Sequence, residues 1–268
     1  MLAKRLLVII PLIPLFAFLA AVGGIPFSML VILVLGIAAW EYWRMFYEGG
    51  YFVSRVAVIG GVIAIAAVRA VWGFKYSDLV LVVLIMLTMT LHVLRYENGR
   101  QHAATDFGVT LGGILYLGWL GSYFISLRNL PNGLWWLLLV LPTVWLTDTG
   151  GYVFGRRLGK KPLSPRASPN KTWEGYAGGI LFGTLGALLL AALWQLRASE
   201  ITLTRALIIG LIISIISPIG DLGESVIKRQ FGRKDSSNIL PGHGGMMDRI
   251  DSWIWATAIG YYLVLWLL

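Results

Sequence analysis

Long apolar stretches alternate with short polar segments along the whole chain. Runs of about the length needed to cross ~30 Å of hydrocarbon cover residues 6–22, 25–40, 53–72, 79–94, 107–126, 135–154, 178–193, 206–219 and 252–267. They are continuously apolar, without the inside-outside alternation of a lipid-facing strand, so helices are predicted over a barrel. The expected fold is all-α: a polytopic integral membrane protein with about nine transmembrane helices. One membrane domain over residues 1–268 is expected, with the less informative helices in 1–130 and the catalytic part in 131–268.

Composition agrees, since 57% of the residues are hydrophobic and only 13% are charged. The absence of cysteine rules out disulfides, thiolate metal sites and a cysteine nucleophile. A net charge of +9 would suit nucleic acid, but the bases gather in loops between apolar runs, where anionic lipid and topology account for them. No nucleic-acid partner is expected. With the N-terminus inside, the inner segments hold Lys4, Arg5, Arg44, Arg55, Arg95, Arg100 and the bases of 155–174 and 220–251. The outer loops hold only Lys75, Arg128, Arg197 and Arg205, which predicts a cytoplasmic N-terminus and an outer C-terminus. The first run, with Lys4 and Arg5 ahead of it, has features of a cleaved signal peptide, but a first membrane helix is expected. Trp40, Trp43, Trp135, Trp136, Trp253 and Trp255 lie near run ends, as interfacial anchors do.

Seven of the thirteen acids fall in three places: Asp148, Glu174, and the set Asp221, Glu224, Asp235, Asp248 and Asp251. Charge beside hydrocarbon is costly and is kept where a substrate, an ion or a fixed partner offsets it. Asp221, Glu224, Ser225 and Lys228 recur at helical spacing, so one face would present two carboxylates, a hydroxyl and an ammonium. Asp248, Asp251 and Ser252 repeat the pattern at the start of the last run, where helix capping is the alternative reading. Hard oxygen ligands suit Mg2+, and Asp221 with Asp248 is the expected metal pair. Asp148, inside the sixth run, either joins them or makes a packing bond to Thr143 or Thr147.

The turn Pro241-Gly242-His243-Gly244-Gly245 lets backbone approach a ligand, and its amides suit phosphate oxygens. His243 there is open to phosphate binding, proton transfer or a structural bond. In the basic loop, Gly155, Gly159 and Lys160 come near a P-loop, but the spacing is one residue short. Lys161 also stands where a Ser or Thr is needed, so a Walker motif is rejected. The Ser164-Pro165 and Ser168-Pro169 pairs keep that loop extended before Lys171, Thr172 and Glu174.

Ser225-Val-Ile-Lys228-Arg229, Lys234-Asp235 and His243-Gly244-Gly245-Met246-Met247-Asp248-Arg249-Ile250-Asp251 together resemble the signature of phosphatidate cytidylyltransferases, the CDP-diacylglycerol synthases. The upstream segment from Ser164 to Gly175 resembles that family's cytoplasmic loop. The resemblance implies transfer of the cytidylyl group of CTP to phosphatidic acid, releasing pyrophosphate, at the cytoplasmic face of a bacterial inner membrane. It implies Mg2+ with a second cation such as K+ beside it, membrane lipid as surroundings, and a homodimer. On that pattern Asp221, Asp248, Lys228, Arg229, Ser225 and His243 are the expected catalytic residues. Lys171, Thr172, Lys234, Asp235, Gly244, Gly245 and Arg249 are expected to bind substrate, and Asp221, Asp248, Asp148, Glu224 and Asp251 to serve the metal. Two other classes share the charge pattern: a CTP-using kinase of another lipid, and a transporter of anionic solutes, which would more typically show paired repeats and broken helices at the midplane.

Overall fold

The computed structural model describes Leu2 to Leu268, with side chains from Pro11 onward. Its helices are α1 (Leu2–Val22), α2 (Gly24–Glu48), α3 (Arg55–Trp72), α4 (Ser77–Glu97), α5 (Ala103–Gly113), α6 (Tyr123–Arg128), α7 (Gly133–Leu158), α8 (Trp173–Trp194), α9 (Leu203–Gln230) and α10 (Met247–Leu267). Among the described residues eight segments are helical, long and apolar enough to cross a membrane, one of them running from α5 through α6. The described part of α1, Pro11–Val22, is a shorter apolar helix. The chain is an all-α polytopic membrane protein, as its hydropathy predicts.

Three local departures bear on the reading of the sequence. The fifth run is not one regular helix: α5 passes into a π-helical segment, Ile114–Leu120, before α6. Gly118 in that segment lies so close to α3 that a Cβ there would stand 3.1 Å from the Val62 Cα. The eighth run continues well past its apolar stretch, because α9 has 28 residues and spans roughly 42 Å at 1.5 Å per residue. The extended basic loop is paired on itself: β1 (Pro162–Ser164) and β2 (Ser168–Thr172) form an antiparallel ladder matching Pro162 with Thr172.

The backbone falls into two compact units, Met1–Ser126 with Phe231–Asp248, and Leu127–Gln230 with Arg249–Leu268. In the first unit, Tyr42 of α2 lies against Gly113, where a Cβ would come within 2.6 Å of its ring, and its hydroxyl donates to the Val109 carbonyl at 2.9 Å. Buried Asp106 closes the adjoining loops. It accepts from Arg100 Nε at 2.6 Å, Arg100 Nη2 at 3.1 Å and the Phe52 amide at 3.0 Å.

In the second unit, α7 and α8 pack backbone to backbone. A Cβ at Gly175 would stand 2.7 Å from the Gly151 carbonyl oxygen, and one at Gly179 would stand 2.8 Å from that of Thr147. Small residues at a helix crossing are how membrane helices approach closely, since lipid gives them little hydrophobic drive to associate. α9 joins through Thr147 Oγ1, which donates to the Thr143 carbonyl at 2.8 Å and is hydrogen-bonded to the Ser214 hydroxyl at 2.9 Å. Trp136 is buried in this unit, so an interfacial role is excluded for it.

Candidate active site

The polar end of α9 carries most of the candidate side chains. Helical geometry places Asp221, Glu224, Ser225 and Lys228 on neighbouring turns, and the helix continues through all of them. Asp251 comes from the second turn of α10. One carboxylate oxygen from each of Asp221, Glu224 and Asp251 lies within 4.8 Å of the others, and Glu224 and Asp251 are buried. Two carboxyl groups that close need a proton or a cation between them. Asp251 Oδ1 also accepts from the Ser252 amide at 2.6 Å.

Bases and a hydroxyl surround this group. Lys171 Nζ lies 2.6 Å from Asp221 Oδ2, and Lys228 Nζ lies 3.0 Å from Glu224 Oε2. Ser225 Oγ donates to Asp221 Oδ1 at 3.3 Å. Asp148 of α7 has its carboxylate in electrostatic reach of Lys171, Asp221, Asp251 and Arg249. The alternative packing role for Asp148 finds no support in Thr143 or Thr147, whose hydroxyls donate to the Leu139 and Thr143 carbonyls. Arg229 is turned to the basic hairpin, where its Nε donates to the Ala167 carbonyl at 3.2 Å.

Thr172 caps α8: its Oγ1 accepts from the Gly175 amide at 3.1 Å, satisfying one of the first-turn amides. Glu174 Oε2 accepts from the amides of Lys160 at 3.0 Å and Lys161 at 3.3 Å, closing the base of the hairpin.

Asp248 carries a different set of bonds from Asp221. Its Oδ2 accepts from the Ser236 amide and hydroxyl, both at 2.9 Å, and from the Gly245 amide at 2.7 Å. The reach from Asp248 back to the amide three residues earlier is that of the acidic partner in a capping box. The structure thus groups Asp221 with Glu224 and Asp251, and uses Asp248 to shape the turn ahead of α10. In that turn the Leu240 amide donates to the Gly244 carbonyl and the His243 amide to the Leu240 carbonyl, each at 2.9 Å. Gly244 has φ +80°, and a Cβ there would stand 2.8 Å from Asp248 Oδ2 and 3.3 Å from Asp235 Oδ1. Only glycine passes between those two acids at low cost. His243 is half-buried, with Nδ1 shielded from solvent, whereas Lys234, Asp235 and Arg249 are exposed.

Reasoning from sequence missed Glu41 of α2, a buried carboxylate that accepts hydrogen bonds from residues 236–247. An acid directly at the end of an apolar run was the available signal.

These features amount to a cluster of acids and bases at the polar end of α9 in an all-α membrane protein. The family described as the cytidylyltransferase family matches residues 3–267. The phosphatidate cytidylyltransferase of Bacillus subtilis is 37% identical over 254 residues, 93% of this chain and 92% of that protein. That of Staphylococcus saprophyticus is 40% identical over 182 residues, 68% of each chain. That of Brucella suis is 39% identical over 170 residues, 63% of this chain and 59% of that protein. The chain belongs to the phosphatidate cytidylyltransferase family and is a nucleotidyltransferase.

Proposed function

We propose that this chain transfers the cytidylyl group of CTP to phosphatidic acid, giving CDP-diacylglycerol and pyrophosphate, at the cytoplasmic face of a bacterial inner membrane. The observation that carries this reading is the convergence of Asp221, Glu224 and Asp251 beside Lys171 and Lys228. Both substrates are strongly anionic, so their meeting requires concentrated positive charge.

The three carboxylates fit a divalent ion. Their oxygens are mutually close, and hard oxygen donors without thiolate suit Mg2+. When bound there, Mg2+ supplies charge neutralisation to phosphate oxygens. Asp148 adds a nearby carboxylate, and a second cation such as K+ belongs to the same proposal.

The protein's own groups position and neutralise. A phosphate oxygen of the lipid forms a bond to the α-phosphorus of CTP as the bond from that phosphorus to the bridging oxygen breaks. The electron pair leaves with pyrophosphate, and no covalent enzyme intermediate is needed. Lys171 and Lys228 hold phosphate oxygens by exchanging carboxylate for phosphate, and the Ser225 hydroxyl keeps Asp221 oriented. Arg229 steadies the basic hairpin that carries Lys171. The turn at His243, Gly244 and Gly245, with the exposed Lys234, Asp235 and Arg249, is assigned to substrate binding. The bias of lysine and arginine toward one set of loops supports the cytoplasmic face. A homodimer is part of the same reading.

Purified protein in lipid micelles, given labelled CTP, phosphatidic acid and Mg2+, should release pyrophosphate and label the lipid in equal amounts. Release of CDP with a phosphorylated lipid would identify a kinase, and solute uptake without nucleotide turnover a transporter.

A further inference from the structure

Glu41 lies in a membrane-spanning segment of α2 and has no solvent exposure. A carboxylate in that position is costly unless donors satisfy it. Its Oε1 accepts from Ser237 Oγ at 2.5 Å and the Met246 amide at 2.9 Å, while Oε2 accepts from the Met247 amide at 2.7 Å and Ser236 Oγ at 3.2 Å. The Met247 amide lies 206 residues along the chain from the acid that binds it.

Those amides stand at the start of α10, where the first N–H groups have no partner inside the helix and the dipole favours negative charge. Glu41 therefore acts as a helix cap delivered from another helix. Ser236 Oγ also lies 2.9 Å from Asp248 Oδ2, so one hydroxyl is shared between the two acids. Space confirms the tightness: a Cβ at Gly245 would collide with both Ser236 and Glu41. The conformation of 236–247 thus depends on a side chain from the second helix.

We propose that Glu41 is a positioning residue for nucleotidyl transfer, fixing the 236–247 segment and the first turn of the helix that bears Asp248 and Asp251. It touches no reacting atom, and it acts through Ser236, Ser237 and the two methionine amides. This rests on the assignment of that segment to the catalytic site.

The test compares purified Glu41→Gln and Glu41→Asp with the parent in the CTP and phosphatidic acid assay, alongside thermal unfolding and amide hydrogen exchange. Each carboxylate oxygen faces one methionine amide, so Gln in either orientation turns its N–H2 toward an N–H that cannot accept, whereas Asp keeps two acceptors. Glu41→Gln should lower kcat by about a hundredfold, with KM for both substrates within about threefold and amide exchange at Met246 and Met247 faster by at least about tenfold. Glu41→Asp should recover a substantial part of the kcat. Parental kcat in Glu41→Gln, or a loss that merely follows unfolding and is not relieved by Asp, would overturn the proposal. Should Glu41→Gln not fold, the double variant Ser236→Ala with Ser237→Ala removes the hydroxyl donors and leaves the carboxylate; unchanged kcat and exchange there overturn it equally. Parent protein that forms no CDP-lipid refutes the functional reading instead, and the exchange comparison still decides whether Glu41 holds the segment.

Discussion

Lys171 Nζ and Asp221 Oδ2 meet at 2.6 Å, joining the end of the basic hairpin to the polar end of α9. Both side chains are part-exposed, at 27% and 33%, so the pair contributes on the order of 1 kcal/mol or less to stability. Its value lies in placing an ammonium beside the carboxylate group. Lys171→Met should lower kcat/KM for CDP-lipid formation by about a hundredfold while the thermal midpoint stays within a few degrees. An active Lys171→Met enzyme would remove the lysine from the site.

Under the proposed function, Glu224 and Asp251 would hold Mg2+ together with Asp221. Glu224→Gln and Asp251→Asn should each raise the Mg2+ concentration for half-maximal activity by at least about tenfold. Bound Mn2+, read by electron paramagnetic resonance, should weaken in parallel. Chelation of the parent should abolish turnover, and added Mg2+ should restore it. Unaltered Mn2+ binding in both variants would exclude the carboxylates as ligands.

The α7 and α8 contact is set by glycine. Gly179→Val puts branched carbon 2.8 Å from the Thr147 carbonyl oxygen and should cost about 1–3 kcal/mol, read as a lower thermal midpoint. Activity should fall as well, because Asp148 follows Thr147 on α7. Gly60→Ala is the control: no atom lies within 4 Å of a Cβ there, so stability should be unchanged or slightly higher.

Asp106→Asn removes the charge that Arg100 and the Phe52 amide bind. The buried acid accepts charge-assisted bonds, so the loss should be about 2 kcal/mol. A thermal midpoint equal to that of the parent would show that Arg100 finds equivalent water contacts.

What the sequence disclosed followed the range of the interaction. Asp221, Glu224, Ser225 and Lys228 were readable because one helix and a fixed spacing bring them together. The apolar runs were readable because bilayer thickness sets their length. Pairing Asp221 with Asp248 followed chemistry, and the structure adds that Asp248 reaches back to the Gly245 amide while Asp251, one turn further along α10, lies with Asp221 and Glu224. Glu41 was hidden because its partners lie 195 to 206 residues away and nothing local marks them. The π-helical segment after α5 was equally hidden, since its apolar composition matches that of an ordinary helix.

The backbone near Lys171 is paired at two points. Thr172, its neighbour, is paired with Pro162 across the hairpin and at the same time caps α8, while Ser168 on the other side is paired with Ser164. The register shifts between those two pairs, so Lys171 lies in an irregular stretch of the ladder with its fixed neighbour on the Thr172 side. Under the proposed function, an incoming phosphate would draw the ammonium from its carboxylate beside a helix start that the Thr172 cap already holds in place.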